Sequence, residues 1–154
     1  MRALGIDYGG KRIGLALSDP TGMLARPWKT IEVSGAPGRV ATLLAAEIEA
    51  LASEPDGLSA VALGYPRRLN GEPSDQTGAV DAVARELRTL IDVPLVLQDE
   101  RLSSREAESL LARRERDWRK RKPLLDATAA AVILQDYLDA RSSAVRTPSE
   151  DEDL

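Results

Sequence analysis

Apolar positions along this chain follow two periods, and their alternation predicts an order of strands and helices. Residues 2–8 and 13–19 are short apolar runs separated by Gly9-Gly10-Lys11-Arg12, a glycine-led turn that predicts a β-hairpin. A third strand is expected within residues 22–33. Over residues 38–53 the period changes: Val40, Leu43, Leu44, Ile48 and Leu51 recur at helical spacing among alanines of high helix propensity. Ser59–Gly64 predicts a short buried strand, and residues 74–91 a helix with Val80, Val83, Ala84, Leu87 and Leu90 on one face. Pro94–Leu97 predicts another strand. Ser103 and Glu106 then have capping-box spacing and open a helix carrying Leu110 and Leu111. Pro123 is expected to open the final helix, which ends near Ala140.

Three strands in a meander followed by alternating helix and strand predict an α/β fold, a mixed sheet with helices on its faces. If the first, fourth and fifth strands run parallel, Asp7, Gly64 and Glu100 fall at their carboxyl ends, where such sheets bind ligands. Residues 141–154 hold Ser, Thr, Pro and acids without an apolar period. They are expected to form a disordered acidic tail behind a single domain of residues 1–140.

Composition narrows the chemistry. The chain has 154 residues, 43% of them hydrophobic, which suits one domain with one core. It has no His and no Cys, so imidazole catalysis, thiol catalysis, zinc thiolates and disulfides are excluded. That composition is compatible with a reducing cytosol. No apolar run approaches the roughly 20 residues a bilayer needs, and the N-terminal residues lack a long apolar stretch. A soluble cytoplasmic protein without membrane contact is therefore expected.

The net charge of −4 argues against a polyanionic partner until its distribution is considered. Glu150, Asp151, Glu152 and Asp153 all lie in the tail, and the other 21 acids balance 21 basic residues. Between Arg113 and Lys122 stand seven cations, Arg113, Arg114, Arg116, Arg119, Lys120, Arg121 and Lys122, against Glu115 and Asp117. Such a run is a local footprint for a polyanion. Its bland alternative is a solvated helix end, where cations complement a C-terminal dipole.

Three carboxylates stand where strands end and a helix begins: Asp7, Glu100 and Asp126. Each also has an ordinary reading. Asp7 could bond the backbone of the turn after it, Glu100 could pair with Arg101 or Arg105, and Asp126 could complement a helix N-terminus. Against the last, Asp126, Ala130, Ile133 and Tyr137 share one stripe at helical spacing, which turns Asp126 toward the core side. Asp99 would point to the face opposite Glu100. Carboxylate oxygens suit hard cations such as Mg²⁺ or Mn²⁺, and two such ions can activate water and stabilise the leaving oxygen of a phosphodiester.

Gly5-Ile6-Asp7-Tyr8-Gly9-Gly10-Lys11-Arg12-Ile13-Gly14 resembles the opening of the YqgF (RuvX) family, nucleases associated with Holliday junction resolution or pre-16S rRNA processing. Asp99-Glu100-Arg101-Leu102-Ser103-Ser104 resembles that family's second motif. Lys122 through Asp126 to Leu138, with Ala129-Ala130 and Ile133-Leu134-Gln135, resembles its final helix. The resemblance implies an RNase H-like fold, a mixed five-stranded sheet of three antiparallel strands followed by two parallel ones. It implies an acidic triad of Asp7, Glu100 and Asp126, and a Gly-x-Pro loop at Gly64-Tyr65-Pro66. Tyr65, Arg67 and the segment Asn70-Gly71-Glu72 depart from the family's usual loop, which leaves loop-mediated substrate choice open.

On that reading the chain is a nuclease dependent on Mg²⁺ or Mn²⁺. Asp7 would bridge two ions about 4 Å apart, and Glu100 and Asp126 would each complete one inner shell. Lys11, Arg12 and Arg101 are candidates for phosphate beside the scissile bond, and Arg119, Lys120, Arg121 and Lys122 for the flanking backbone. The expected partner is nucleic acid, with RNA favoured over DNA and pre-ribosomal particles as its setting, bound by a monomer or weak homodimer. A junction resolvase would need a two-fold dimer. Two other classes stay open. The opening also resembles the first phosphate loop of the actin, hexokinase and Hsp70 ATPases, although those enzymes use two such domains and these residues supply one. A non-catalytic nucleic-acid or ribosome-binding module would keep the acids for structure.

Overall fold

The computed structural model describes residues 1–66, 77–99 and 118–152, with the backbone alone over 118–123 and 143–152. Five strands form one sheet: β1 (Arg2–Tyr8), β2 (Arg12–Ser18), β3 (Ala25–Glu32), β4 (Leu58–Tyr65) and β5 (Leu95–Asp99). Their order is β3-β2-β1-β4-β5. The first three are antiparallel neighbours, and β4 and β5 run parallel to β1. The expected mixed sheet is thus present, and β1, β4 and β5 finish at one edge.

Helices α1 (Pro37–Ala52) and α2 (Thr77–Leu90) cover one face. Alternation along the strands sends Leu4, Ile6, Ile13, Leu15, Val61 and Leu63 toward them, where all six are fully buried. Val40, Leu44, Ile48 and Leu51 of α1 and Val80, Val83 and Leu87 of α2 close this core. Two residues expected on those apolar faces stay outside it: Leu43 is 42% exposed and Leu90 is 51% exposed. Leu90 is the last residue of its helix, beyond the packed turns.

Helix α3 (Trp118–Glu152) covers the opposite face, across β1, β2 and β3. There the alternate strand positions are small, Ala3, Ala16 and Ala62, and they meet Ala130, Ala131, Leu134 and Leu138. Small residues on both sides let the helix backbone lie close to the sheet. A Cβ added to Gly5 would meet the Ala130 carbonyl and Leu134 Cβ, both at 2.7 Å. Gln135 ties the helix to the edge strand: its Oε1 accepts from Ala25 N at 2.9 Å, and its Nε2 donates to the Met23 carbonyl at 3.0 Å.

Both ends of α3 differ from the sequence expectation. The helix starts at Trp118, so Pro123 lies inside it rather than at its opening. Pro123 lacks the N–H that would bond the carbonyl of Arg119, and the good helix formers Arg119–Lys122 continue the helix ahead of it. At the other end the backbone stays helical past Ala140 to Glu152, through residues expected to be disordered. From Ala140 to Thr147 there is neither Gly nor Pro, and extending an existing helix is far easier than starting one. The helix expected after Ser103 lies outside the described residues. No helix among the described residues is long and apolar enough to cross a membrane.

Candidate functional site

The site begins at the turn between β1 and β2. Gly9 N donates to the Arg12 carbonyl at 2.9 Å, closing the four-residue loop, and Gly10 adopts φ +92°, a conformation glycine takes without steric cost. Val33 N donates to the Lys11 carbonyl at 3.0 Å and fixes the loop against the end of β3. The hairpin predicted from Gly9-Gly10-Lys11-Arg12 is therefore present and anchored.

Register decides which acids meet. Asp7 on β1 pairs with Gly14 on β2, and cross-strand partners project to the same face. A Cβ placed on Gly14 would stand 1.9 Å from the Asp126 carbonyl oxygen and 2.7 Å from Ala127 N. Only a residue without a side chain lets α3 descend this far, so Gly14 seats Asp126 beside the position of Asp7. Gly5, two residues before Asp7 and on the same face, makes the matching approach one turn further along the helix. Two strand glycines thus bring the backbone of Asp126 down onto the strand position paired with Asp7.

The local environment of Asp126 is distinctive. Its Oδ2 lies 3.2 Å from Arg12 Nε, an ion pair, with side chains 21% and 45% exposed respectively. Yet that buried oxygen accepts no hydrogen bond among the described residues. Charge proximity and hydrogen-bond geometry part company here, because Nε is near without its N–H being aimed at Oδ2. A largely buried carboxylate oxygen that is matched by charge but accepts no hydrogen bond among the described residues has the chemistry of a hard-cation ligand. The stripe expected around Asp126 is also present, with Ala130 and Ile133 fully buried and Tyr137 packed on the α3-side cluster.

Other predicted residues fall as follows. Glu100 and Arg101 lie outside the described residues, as do residues 113–117 of the basic run. Among the described residues no group of three potential metal ligands occurs. Asp99 ends β5 in alternation with Leu95 and Leu97, which pack on the α1–α2 side, away from Asp7. Gly64 pairs with Gln98 near the ends of β4 and β5. Its neighbours are anchored away from the carboxylates: Tyr65 OH donates to Asp81 Oδ2 at 3.2 Å, and Thr77 Oγ1 donates to the Pro66 carbonyl at 2.9 Å. Arg119, Lys120, Arg121 and Lys122 occupy the N-terminal turns of α3.

Arg39 and Ser34 join Lys11, Arg12 and Asp126 around one groove and were not expected from the sequence. Their signal was faint: a basic residue directly after the turn Gly35-Ala36-Pro37-Gly38.

The family model described as "RuvX: Holliday junction resolvase" matches residues 1–140. A Bacillus subtilis (strain 168) protein named "Putative pre-16S rRNA nuclease" is 36% identical over 140 residues, covering 91% of this chain and 99% of its own length. A protein of the same name from Syntrophus aciditrophicus (strain SB) is 38% identical over 150 residues, covering 97% of this chain and 95% of its own. Among solved structures, Thermus thermophilus RuvC in complex with Holliday junction substrate superposes with a TM-score of 0.54 at 18% identity, covering 92% of this chain and 96% of that one. That likeness establishes a shared RNase H-like fold.

Proposed function

This chain belongs to the RuvX family, and we propose that it is a divalent-metal-dependent nuclease acting on RNA, with the 5′ end of pre-16S rRNA as its substrate. The observation that carries the reading is the descent of Asp126 onto Gly14, the register partner of Asp7. It supports a pair of carboxylates beside the loop that bears Lys11 and Arg12. Without His or Cys, the ligands available are oxygens, which fit Mg²⁺ or Mn²⁺.

Asp7 and Asp126 would hold the metal, with Glu100 as the third ligand. A bound divalent ion supplies two things: activation of water near neutral pH, and neutralisation of charge on the phosphate. The protein's own groups do the positioning. Arg12 is half exposed, so its guanidinium can swing from Asp126 to a non-bridging phosphate oxygen. Lys11 adds a second charge from the same exposed turn. Gly9 and Gly10 present backbone without side chains, leaving room for a phosphate to approach. Arg119–Lys122 and Arg101 would contact the flanking backbone, which fixes the strand without reading its sequence.

Junction cleavage is the second reading, favoured by the description of the matching family model. One assay separates the readings. Labelled RNA and DNA, as single strands, duplexes and four-way junctions, are incubated with Mg²⁺, Mn²⁺ or EDTA and the protein or its Asp7→Asn variant. Cleavage of RNA that needs both metal and Asp7 is expected. Cleavage confined to four-way DNA would transfer the proposal to junction resolution, and metal-independent binding without cleavage would refute the nuclease.

A further inference from the structure

The hairpin loop and the first turn of α1 enclose a groove of about 920 Å³ that ends on Asp126. Lys11 and Arg12 stand on its hairpin wall and Arg39 on its helix wall. The stem of Arg39, an exposed residue, lies over Gly35. A Cβ built on Gly35 would lie 3.0 Å from Arg39 Cδ and 3.8 Å from its Cβ, and Gly35 has φ +113°. The same glycine therefore turns the chain into α1 and leaves the space over which the arginine lies. Among the described residues no carboxylate forms an ion pair with Arg39.

We propose that this groove carries the phosphate backbone of the substrate strand on one side of the cut, with Arg39 gripping a phosphate distant from the scissile one. The proposal rests on the nuclease reading and adds the path of the strand. Cations on two facing walls suit a polyanionic chain running between them, and a guanidinium offers paired donors matched to phosphate oxygens. Gly9 and Gly10 also line the groove and carry no side chain to obstruct it. Leu43, 42% exposed beside Arg39, offers an apolar surface for a sugar or base edge. Among the described residues one acid besides Asp126 lines the groove: Glu32, opposite Arg12 in the β2–β3 register. Its charge repels the same backbone, so removing it should tighten binding.

The test is fluorescence anisotropy of labelled single-stranded RNA, and of DNA of the same sequence, with the full chain in EDTA across a salt series. Arg39→Gln should weaken binding about tenfold and reduce the slope of log affinity against log salt by about 0.7, the share of one single-strand phosphate. Glu32→Gln should tighten binding. Arg85→Gln, the same charge change on α2 outside the groove, should alter neither quantity, and thermal melts confirm that each variant folds. If the wild type binds and cleaves while Arg39→Gln retains its affinity and slope, the groove is refuted and the nuclease reading stands. If the wild type binds no nucleic acid, both fall.

Discussion

Gly14→Ala is the most informative single change, because it tests the contact that brings the carboxylates together. The new methyl carbon would sit 1.9 Å from the Asp126 carbonyl oxygen, where real Cβ contacts essentially never fall below 3.0 Å. To reach even that limit, α3 must retreat from β2 by more than about 1 Å, a displacement that can cost on the order of 10²-fold when it separates catalytic groups. The obstacle is helix backbone, so a rotamer change cannot relieve it. Overpacking of this kind costs about 1–3 kcal/mol, and the upper end applies here. For a chain of this size about 3 kcal/mol lowers Tm by roughly 6–12 °C. Gly5→Ala meets its neighbours at 2.7 Å and should cost less, while Gly38→Ala meets nothing within 4 Å and should be neutral or slightly stabilising. Calorimetry on the three variants, with Mn²⁺ titration and cleavage assays at a temperature where all are folded, gives the ranking. Gly14→Ala melting within about 2 °C of wild type, a shift worth no more than about 1 kcal/mol, with unchanged metal affinity and cleavage, would refute the close seating of Asp126 on β2.

Asp7→Asn should abolish cleavage while leaving the melting temperature and most RNA affinity intact, since it removes a ligand charge at constant shape; full activity would remove Asp7 from the site. Reversing Arg119, Lys120 and Arg121 to Glu should weaken RNA binding and flatten its salt dependence, whereas an unchanged slope would mean that these residues are merely solvated. Asp19 sets a pH dependence. A hydrogen bond from the Thr21 hydroxyl, then backbone N–H groups of Leu24, Met23 and Thr21, hold its carboxyl well below the usual carboxylate range. With the folded value depressed, its stabilising effect is complete above the ordinary value near 3.8 and is lost as pH falls below it. Asp19→Asn should therefore lower the urea midpoint at pH 6 and flatten its decline below pH 4. Parallel acid limbs for variant and wild type would refute the assignment.

How much of this was legible in the sequence depended on whether the determining contact was local. The hairpin was readable because Gly9-Gly10 lies between two apolar runs, and the parallel strands because β4 and β5 are reached only across helix-length segments. Asp7 and Asp126 could be named as candidates from their places at a strand end and on a helical stripe. Their meeting could not be derived that way, because it depends on how far α3 sinks into the sheet. The clue was present in Gly5 and Gly14, since glycine inside a strand weakens it unless another backbone comes close. Read alone, however, each is only a poor strand former. The bounds of α3 differ from local propensity for a related reason: the buried Ala130, Ile133 and Leu134 anchor the helix on the sheet, and extending an anchored helix past Pro123 or Ala140 is easier than starting one. Arg39 carries only a faint sequence signal because its place comes from Gly35 beneath it and from Lys11 and Arg12 on the same groove, the latter pair separated from it by two strands. The carboxylates and the cations around them are thus recruited by two different means. Strand glycines set the depth of α3 and so the seating of Asp126, while the turn before α1 sets Arg39. It follows that substitutions at Gly14 and at Arg39 should be separable, the first acting on metal affinity and stability, the second on strand binding alone.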